Sequence, residues 1–155
     1  MLNVGANSID FQLQDQAGIT HQLSDYRGGW VLLYFYPKDD TPGCTTEACA
    51  IRDAWSEFRK KGVTVLGMSA DTTESHKKFA EKHRLPFTLL ADTEKETINA
   101  YGSIKEKNMF GKKFMGIQRM SYLIDAEGKI AKVYPKVKPD AHADQVLADI
   151  EELQK

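Results

Sequence analysis

The chain has 155 residues, 41% of them hydrophobic, with 21 basic side chains against 22 acidic ones, a size and composition suited to one domain with a real core. That balance leaves no electrostatic footprint for nucleic acid or an anionic membrane, and no apolar run is long enough to span a bilayer. Two cysteines are too few for a secreted disulfide scaffold, and Met1-Leu-Asn-Val-Gly lacks the basic and apolar regions of a signal peptide, so a cytoplasmic protein whose cysteines do chemistry is expected.

Near the start, Phe11-Gln-Leu13 and Ile19-Thr-His-Gln-Leu23 flank the turn-like Asp15-Gln-Ala-Gly18, which predicts a small β-hairpin. Ser24 to Gly29 reads as a short helical turn or loop. Val31 to Tyr36 is an unbroken aliphatic and aromatic run, the pattern of a strand covered on both faces. Thr41-Pro42-Gly43 is turn punctuation, since Pro42 fits inside neither regular element. After it Ala48, Ile51, Trp55 and Phe58 recur at helical spacing, and Gly62 stops a helix that runs to about Lys61.

Val63 to Ala70 predicts a second buried strand. Asp71-Thr-Thr caps a helix through about Arg84, with Phe79 and Ala80 inward. Leu85-Pro86 ends it, Phe87 to Leu90 is a short strand, and Glu94 to Tyr101 is a short helix. Gly102 to Gly116, rich in Lys and Gly with interleaved Met and Phe, reads as loop with a possible strand edge. Its Lys105 to Lys113 part is moderately basic, the usual pattern of a solvated loop. Ser121 to Asp125 and Ile130 to Tyr134 flank Ala126-Glu-Gly-Lys129 as a second β-hairpin, and a last helix starts near Asp140. Strands alternating with helices, closed by a hairpin and a helix, describe one three-layer α/β domain with a mixed sheet.

The chemistry gathers at the junction of the Val31 strand and the helix after it. Cys44 falls at the first turn of that helix, just past the carboxyl end of a strand, where open α/β sheets place their sites. Unpaired backbone N–H groups and the positive end of the helix dipole favour a thiolate there. Cys49 follows five positions on. In an intact helix the two Cα atoms stand about 8–9 Å apart, whereas a disulfide needs them within about 7 Å, so the pair can bond only if the helix start unwinds. The plainer reading of either cysteine is a small buried hydrophobe. Thr41 is a natural helix N-cap, Pro37 a strand terminator, Glu47 a favourable charge in the first turns, and Arg119 a solvated cation before a strand. The four histidines, His21, His76, His83 and His142, have no metal-ligand spacing among themselves or with the cysteines, and surface positions are expected for them.

Pro37-x-x-x-Thr41-x-x-Cys44 resembles the active-site signature of the peroxiredoxins, and Cys49 at its offset is similar to the Q-type, or bacterioferritin comigratory protein, branch. Tyr34-Phe-Tyr-Pro-Lys, Leu66-Gly-Met-Ser, Leu85-Pro-Phe, Met115-Gly-Ile-Gln-Arg119 and Leu123-Ile-Asp125 extend the resemblance from Phe11 to Leu147. It implies a thioredoxin fold, a central mixed sheet flanked by helices, with the N-terminal hairpin as an addition. It also implies thiol-dependent reduction of hydrogen peroxide and organic hydroperoxides, with no metal, haem or flavin cofactor. Cys44 would be the nucleophile and Cys49 the resolving thiol in an intrachain disulfide, with thioredoxin or a similar dithiol as reductant. Thr41 would contact thiolate and peroxide, Pro37 would shield the sulfur from water, Arg119 would stabilise the thiolate and polarise the peroxide, and Glu47 would hold the hydrogen-bond network. A monomer is expected, with no nucleic-acid or membrane partner. The chain departs from the family in lacking a proline near Ser8 and in carrying Met120 where a smaller or β-branched residue is more common; neither is expected to remove activity.

Two other functions fit the same fold. A thioredoxin-like oxidoreductase acting on protein disulfides lacks support from the spacing, because Cys-x-x-Cys is absent. A redox-inert binding module would show thiols that do not react at neutral pH.

Overall fold

The computed structural model describes residues 1–155. Its frame is a five-stranded mixed sheet in the order β5-β4-β3-β8-β9, formed by β3 (Trp30–Phe35), β4 (Val63–Ser69), β5 (Thr88–Ala91), β8 (Met120–Ile124) and β9 (Ile130–Tyr134). β3 runs parallel to β4 and antiparallel to β8. The unbroken apolar run of β3 is explained by its two covered faces. Leu32 and Tyr34, continued by Tyr36, enter one core with α1 (Pro42–Asp53), α2 (Trp55–Lys60), α3 (Thr73–His83) and α5 (His142–Leu153), while Val31, Leu33 and Phe35 enter a second core with α4 (Glu96–Ala100) and the N-terminal segment. This is the thioredoxin arrangement that the family resemblance implied.

The N-terminal hairpin is present as β1 (Gln12–Gln14) and β2 (Thr20–Gln22), a separate two-stranded sheet, and a 3-10 turn at Leu23–Tyr26 follows it. Ser8, in place of the expected proline, donates to the Gly128 carbonyl from both its backbone N–H (2.8 Å) and its hydroxyl (2.6 Å). A proline could supply neither donor. Met120 opens β8 opposite Phe35 and is buried in the second core.

Three expectations need correction. The helix expected to run to Lys61 is divided at Ala54 into α1 and α2. The stretch from Gly102 to Gly116 is an antiparallel ribbon, β6 (Ile104–Met109) and β7 (Lys112–Ile117); with most of both faces exposed it lacks the apolar alternation that marks a half-buried strand. The histidines are not surface residues: His76 and His142 are buried and His21 and His83 half-buried. Each has a polar partner that permits burial, His76 on Asp39, His142 on Ser121, His21 on Asp15 and His83 on Asp40.

Candidate active site

The register of the sheet creates the site. Because β3 and β8 are antiparallel with Phe35 opposite Met120, the chain leaving β3 and the chain entering β8 lie at the same end. Arg119 therefore stands beside the turn that leads from β3 into α1. The residue before it is pinned both ways: Gln118 N–H donates to the Ser103 carbonyl at 2.7 Å, and Ser103 Oγ donates to the Gln118 carbonyl at 2.8 Å.

Thr41 is the N-cap residue of α1 in extended backbone, with Pro42 at the first helical position, so Cys44 is the third residue of the helix. Cys44, Glu47, Ala48 and Ile51 are its buried residues; their spacing of three and four is one stripe facing the sheet. Cys49 lies five positions past Cys44, about 140° round the helix, and is half-buried. Both thiols are free and both lie within one unbroken helix.

Arg119 joins two members of the stripe. Its Nη2 donates to Cys44 Sγ at 3.3 Å and its Nη1 donates to Glu47 Oε1 at 2.8 Å. A planar guanidinium can meet both at once because its donors fan out in a fixed fork. The cation sits where the sulfur is 2% exposed and Glu47 is fully buried. Burial lowers the affinity of Arg119 for its proton, but the neighbouring charges of Cys44 and Glu47 outweigh it, and the guanidinium is held above its ordinary value. For Glu47 burial wins: despite Arg119, the carboxyl is pushed up to about 7. Its second oxygen, Oε2, is buried without a hydrogen-bond partner.

Four of the six residues singled out in the sequence are thus in or beside one contact set: Cys44, Arg119 and Glu47 touch directly, and Thr41 heads the helix that carries Cys44. The Thr41 side chain does not cap α1; its hydroxyl donates to the Lys38 carbonyl at 2.8 Å, which leaves its oxygen free to accept. Pro37 is half-buried at the bend after β3, and Cys49 stands apart on another side of α1.

Several contributors escaped the sequence reading. Gly43 looks like turn punctuation, yet a Cβ there would stand 2.9 Å from Arg119 Nη2, so any side chain would displace the guanidinium. Gly67 does the same for Tyr34, whose ring would lie 2.8 Å from an added Cβ. The Tyr34 hydroxyl is buried without a partner, and burial first, then the charges of Glu47 and Cys44, push it well above its ordinary range; it is a neutral phenol facing the anionic side of the site. Beneath the turn, Asp39 is tied to α3: Ser75 Oγ donates to its Oδ2 at 2.8 Å and His76 Nδ1 lies 2.7 Å from the same oxygen. Asp40, at φ 57°, takes Lys82 and His83. The ligand-type atoms of Asp39, Asp71 and His76 lie within 4.8 Å of one another, and their oxygens receive Ser75, Tyr36, Ser69 and the Asp39 N–H, so the three are joined in one hydrogen-bond network. The double Asp in the sequence was a signal for a fastened turn, though nothing local named its partners on α3.

The AhpC/TSA family profile matches residues 4–133. Peroxiredoxin Bcp of Bacillus subtilis is 44% identical over 152 residues, which is 98% of this chain and 97% of that one; Peroxiredoxin Bcp of Escherichia coli is 47% identical over 94% of each. Among solved structures, bacterioferritin comigratory protein of Xanthomonas campestris, described with its alkyl peroxide reduction activity, superposes with a TM-score of 0.92 at 39% identity and covers 100% of this chain and 99% of its own. PrxQ of Xylella fastidiosa gives 0.95 at 33% identity, over 100% and 99%.

Proposed function

The chain belongs to the AhpC/TSA family, on the Bcp branch of the peroxiredoxins, and from that membership we propose that this thiol peroxidase reduces hydrogen peroxide and organic hydroperoxides through Cys44, acting as one domain. The observation that carries the assignment is the 3.3 Å contact from Arg119 to a buried sulfur at the third residue of a helix. A hydrogen bond from a guanidinium is strongest when its acceptor is charged, so the contact favours the thiolate, the reactive form.

The thiolate attacks the terminal peroxide oxygen; the O–O bond breaks, one proton is taken up, water or alcohol leaves, and Cys44 becomes a sulfenic acid. Arg119 is placed to hold the attacking sulfur and to draw charge onto the breaking bond. Thr41, with its hydroxyl proton committed to Lys38, offers a lone pair to a peroxide O–H. Pro37 shields the sulfur from water, and Glu47 is a positioning residue that acts through Arg119. The first turns of α1 then unwind, the Cys49 thiol condenses with the sulfenic acid, and water leaves as the Cys44–Cys49 disulfide forms. The break at Ala54 lets α1 open while α2 stays packed through Phe58. Thioredoxin or a similar dithiol returns both thiols by exchange. An intrachain resolving cysteine needs no second subunit, so a monomer suffices, and the reducing cytoplasm supplies the dithiol. No helix is long and apolar enough to cross a membrane.

Cys44→Ser is expected to stop peroxide consumption altogether; turnover at the wild-type rate would overturn the assignment. With one equivalent of hydrogen peroxide the wild type is expected to lose both thiols into a Cys44–Cys49 bond that thioredoxin reverses, as read by intact mass and peptide mapping. Oxidation that halts at a sulfenic or sulfinic acid on Cys44 would remove Cys49 from the cycle and leave the peroxidase.

A further inference from the structure

The β6–β7 ribbon has features that the peroxidase reading does not use. It forms its own two-stranded sheet and carries exposed apolar residues: Phe110 at 98%, Met115 at 59%, Met109 at 57% and Phe114 at 43%. The turn at its tip has φ 52° at Phe110 and φ 78° at Gly111, the doubly left-handed conformation that Asn-Gly adopts readily and an aromatic residue does not. Folding therefore gains nothing from Phe110, neither burial nor backbone comfort. Such a residue points to a partner.

The chemistry of the partner follows from the pairing register. Lys107 is opposite Phe114 and Met109 opposite Lys112, while Glu106 is opposite Met115 and Asn108 opposite Lys113. Opposed residues share a face and successive pairs alternate. Phe114 and Met109 thus lie on one face, Met115 on the other, and Phe110 at the tip. A flat protein surface would cover only one face of this ribbon, whereas immersion in a lipid interface covers both faces and the tip together. The ribbon also holds four lysines, Lys105, Lys107, Lys112 and Lys113, against the single Glu106, so it is locally +3 in a chain whose net charge is −1. Whole-chain balance, which argued against a membrane partner, averages this away.

We propose that the β6–β7 tip is a docking surface for an anionic lipid interface, with Phe110 and its apolar neighbours entering the headgroup layer and Lys112 and Lys113 meeting the lipid charge. The ribbon's base adjoins the active site: the Lys107 ammonium donates at 2.7 Å to the carbonyl of Ile117, two positions before Arg119. Docking by the tip therefore sets the peroxidase site one ribbon length, roughly 17 Å, from the lipid surface. This binding does not depend on the peroxidase cycle and can be read without it.

The test is co-sedimentation of the full chain with phosphatidylcholine vesicles, with and without phosphatidylglycerol, at low and physiological salt. Wild type is expected to pellet with the phosphatidylglycerol vesicles and to be released by salt. Phe110→Asn is expected to weaken binding by at least roughly tenfold. Asn suits the left-handed turn, so this variant should melt no lower than wild type, and lost binding cannot be laid to misfolding. Lys112→Glu with Lys113→Glu is expected to lose roughly fivefold or more per lysine. Wild type left in the supernatant with phosphatidylglycerol vesicles at low salt, or Phe110→Asn binding as wild type does, would overturn the proposal. So would a wild-type dimer in solution that Phe110→Asn dissolves, which would make a second copy the occupant.

Discussion

Asp39 and Glu47 are two buried carboxylates on either side of the same turn, and the fold treats them in opposite ways. Asp39 has both oxygens engaged: Oδ1 accepts from the Tyr36 hydroxyl at 2.6 Å, and Oδ2 accepts from Ser75 and His76. His76 in turn faces the Leu90 carbonyl at 2.9 Å with its Nε2. Both ring nitrogens thus face oxygens, and His76 bridges the Asp39 turn to the β5 backbone. Glu47 has one partner for Oε1 and none for Oε2. A saturated network fixes its charges and rigidifies the chain around it; an under-satisfied carboxyl keeps a choice of protonation state. The first arrangement anchors the Asp39–Asp40 turn to α3, and the second lies beside the reacting sulfur, where a change of charge can matter.

The sharpest way to break that contrast is to remove a partner from the saturated side. His76→Ala deletes a fully buried ring and leaves Asp39 and the Leu90 carbonyl each short of a partner; it is expected to destabilise the fold by roughly 3–5 kcal/mol, measured by urea denaturation. Joining Asp39→Ala to His76→Leu should recover most of that loss, because replacing both partners removes the stranded buried polar group. If the pair of changes is as unstable as His76→Ala alone, Asp39 is not held by His76 and the two carboxylates do not differ in this way.

Arg119→Lys tests the other side. An ammonium is one point of charge and cannot bridge Sγ and Oε1 as two guanidinium nitrogens do. The kcat/KM for hydrogen peroxide is expected to fall roughly 10²-fold while the urea midpoint stays close to wild type. A drop in stability with unimpaired turnover would make Arg119 a structural residue and turn the site into a second fastening.

What was legible in the sequence was what short-range pattern records. The apolar run of β3, the Thr41-Pro42-Gly43 break and the helical spacing after it placed Cys44 correctly at a strand-to-helix junction. The closeness of Arg119 was not readable from spacing, since it depends on the antiparallel pairing of β3 with β8 across 75 positions; the family resemblance supplied it. Partner choice among polar side chains was the least legible. Thr41 sits at the N-cap position, yet its hydroxyl turns back to Lys38, and His76 looks like a surface residue on a charged helix but is buried because Asp39 waits across the turn. The β6–β7 ribbon was missed because strand patterns announce a buried face, and only its base, at Ile104 and Ile117, meets the core.

The smallest effect belongs to Glu47→Gln, and it isolates the protonation choice itself. In the folded chain the carboxyl is pushed up to about 7 by burial, against an ordinary value of 4.5. Between those values the folded state binds a proton that the unfolded state has released, so this group's contribution falls as pH rises from about 4.5 to about 7 and levels off above. Full stability is present below the lower value, the reverse of a salt-bridged carboxylate with a depressed value. Glutamine can still accept from Arg119 but does not titrate. The variant should therefore gain on wild type by roughly 2 kcal/mol between pH 5 and pH 8 in paired urea denaturations. Because Arg119 keeps its contact with Sγ, peroxide turnover should fall less than roughly tenfold, and any inflection of kcat/KM near pH 7 that comes from Glu47 should vanish. A stability difference that does not change with pH would mean that Glu47 stays charged in the fold, with Arg119 and not burial deciding its state.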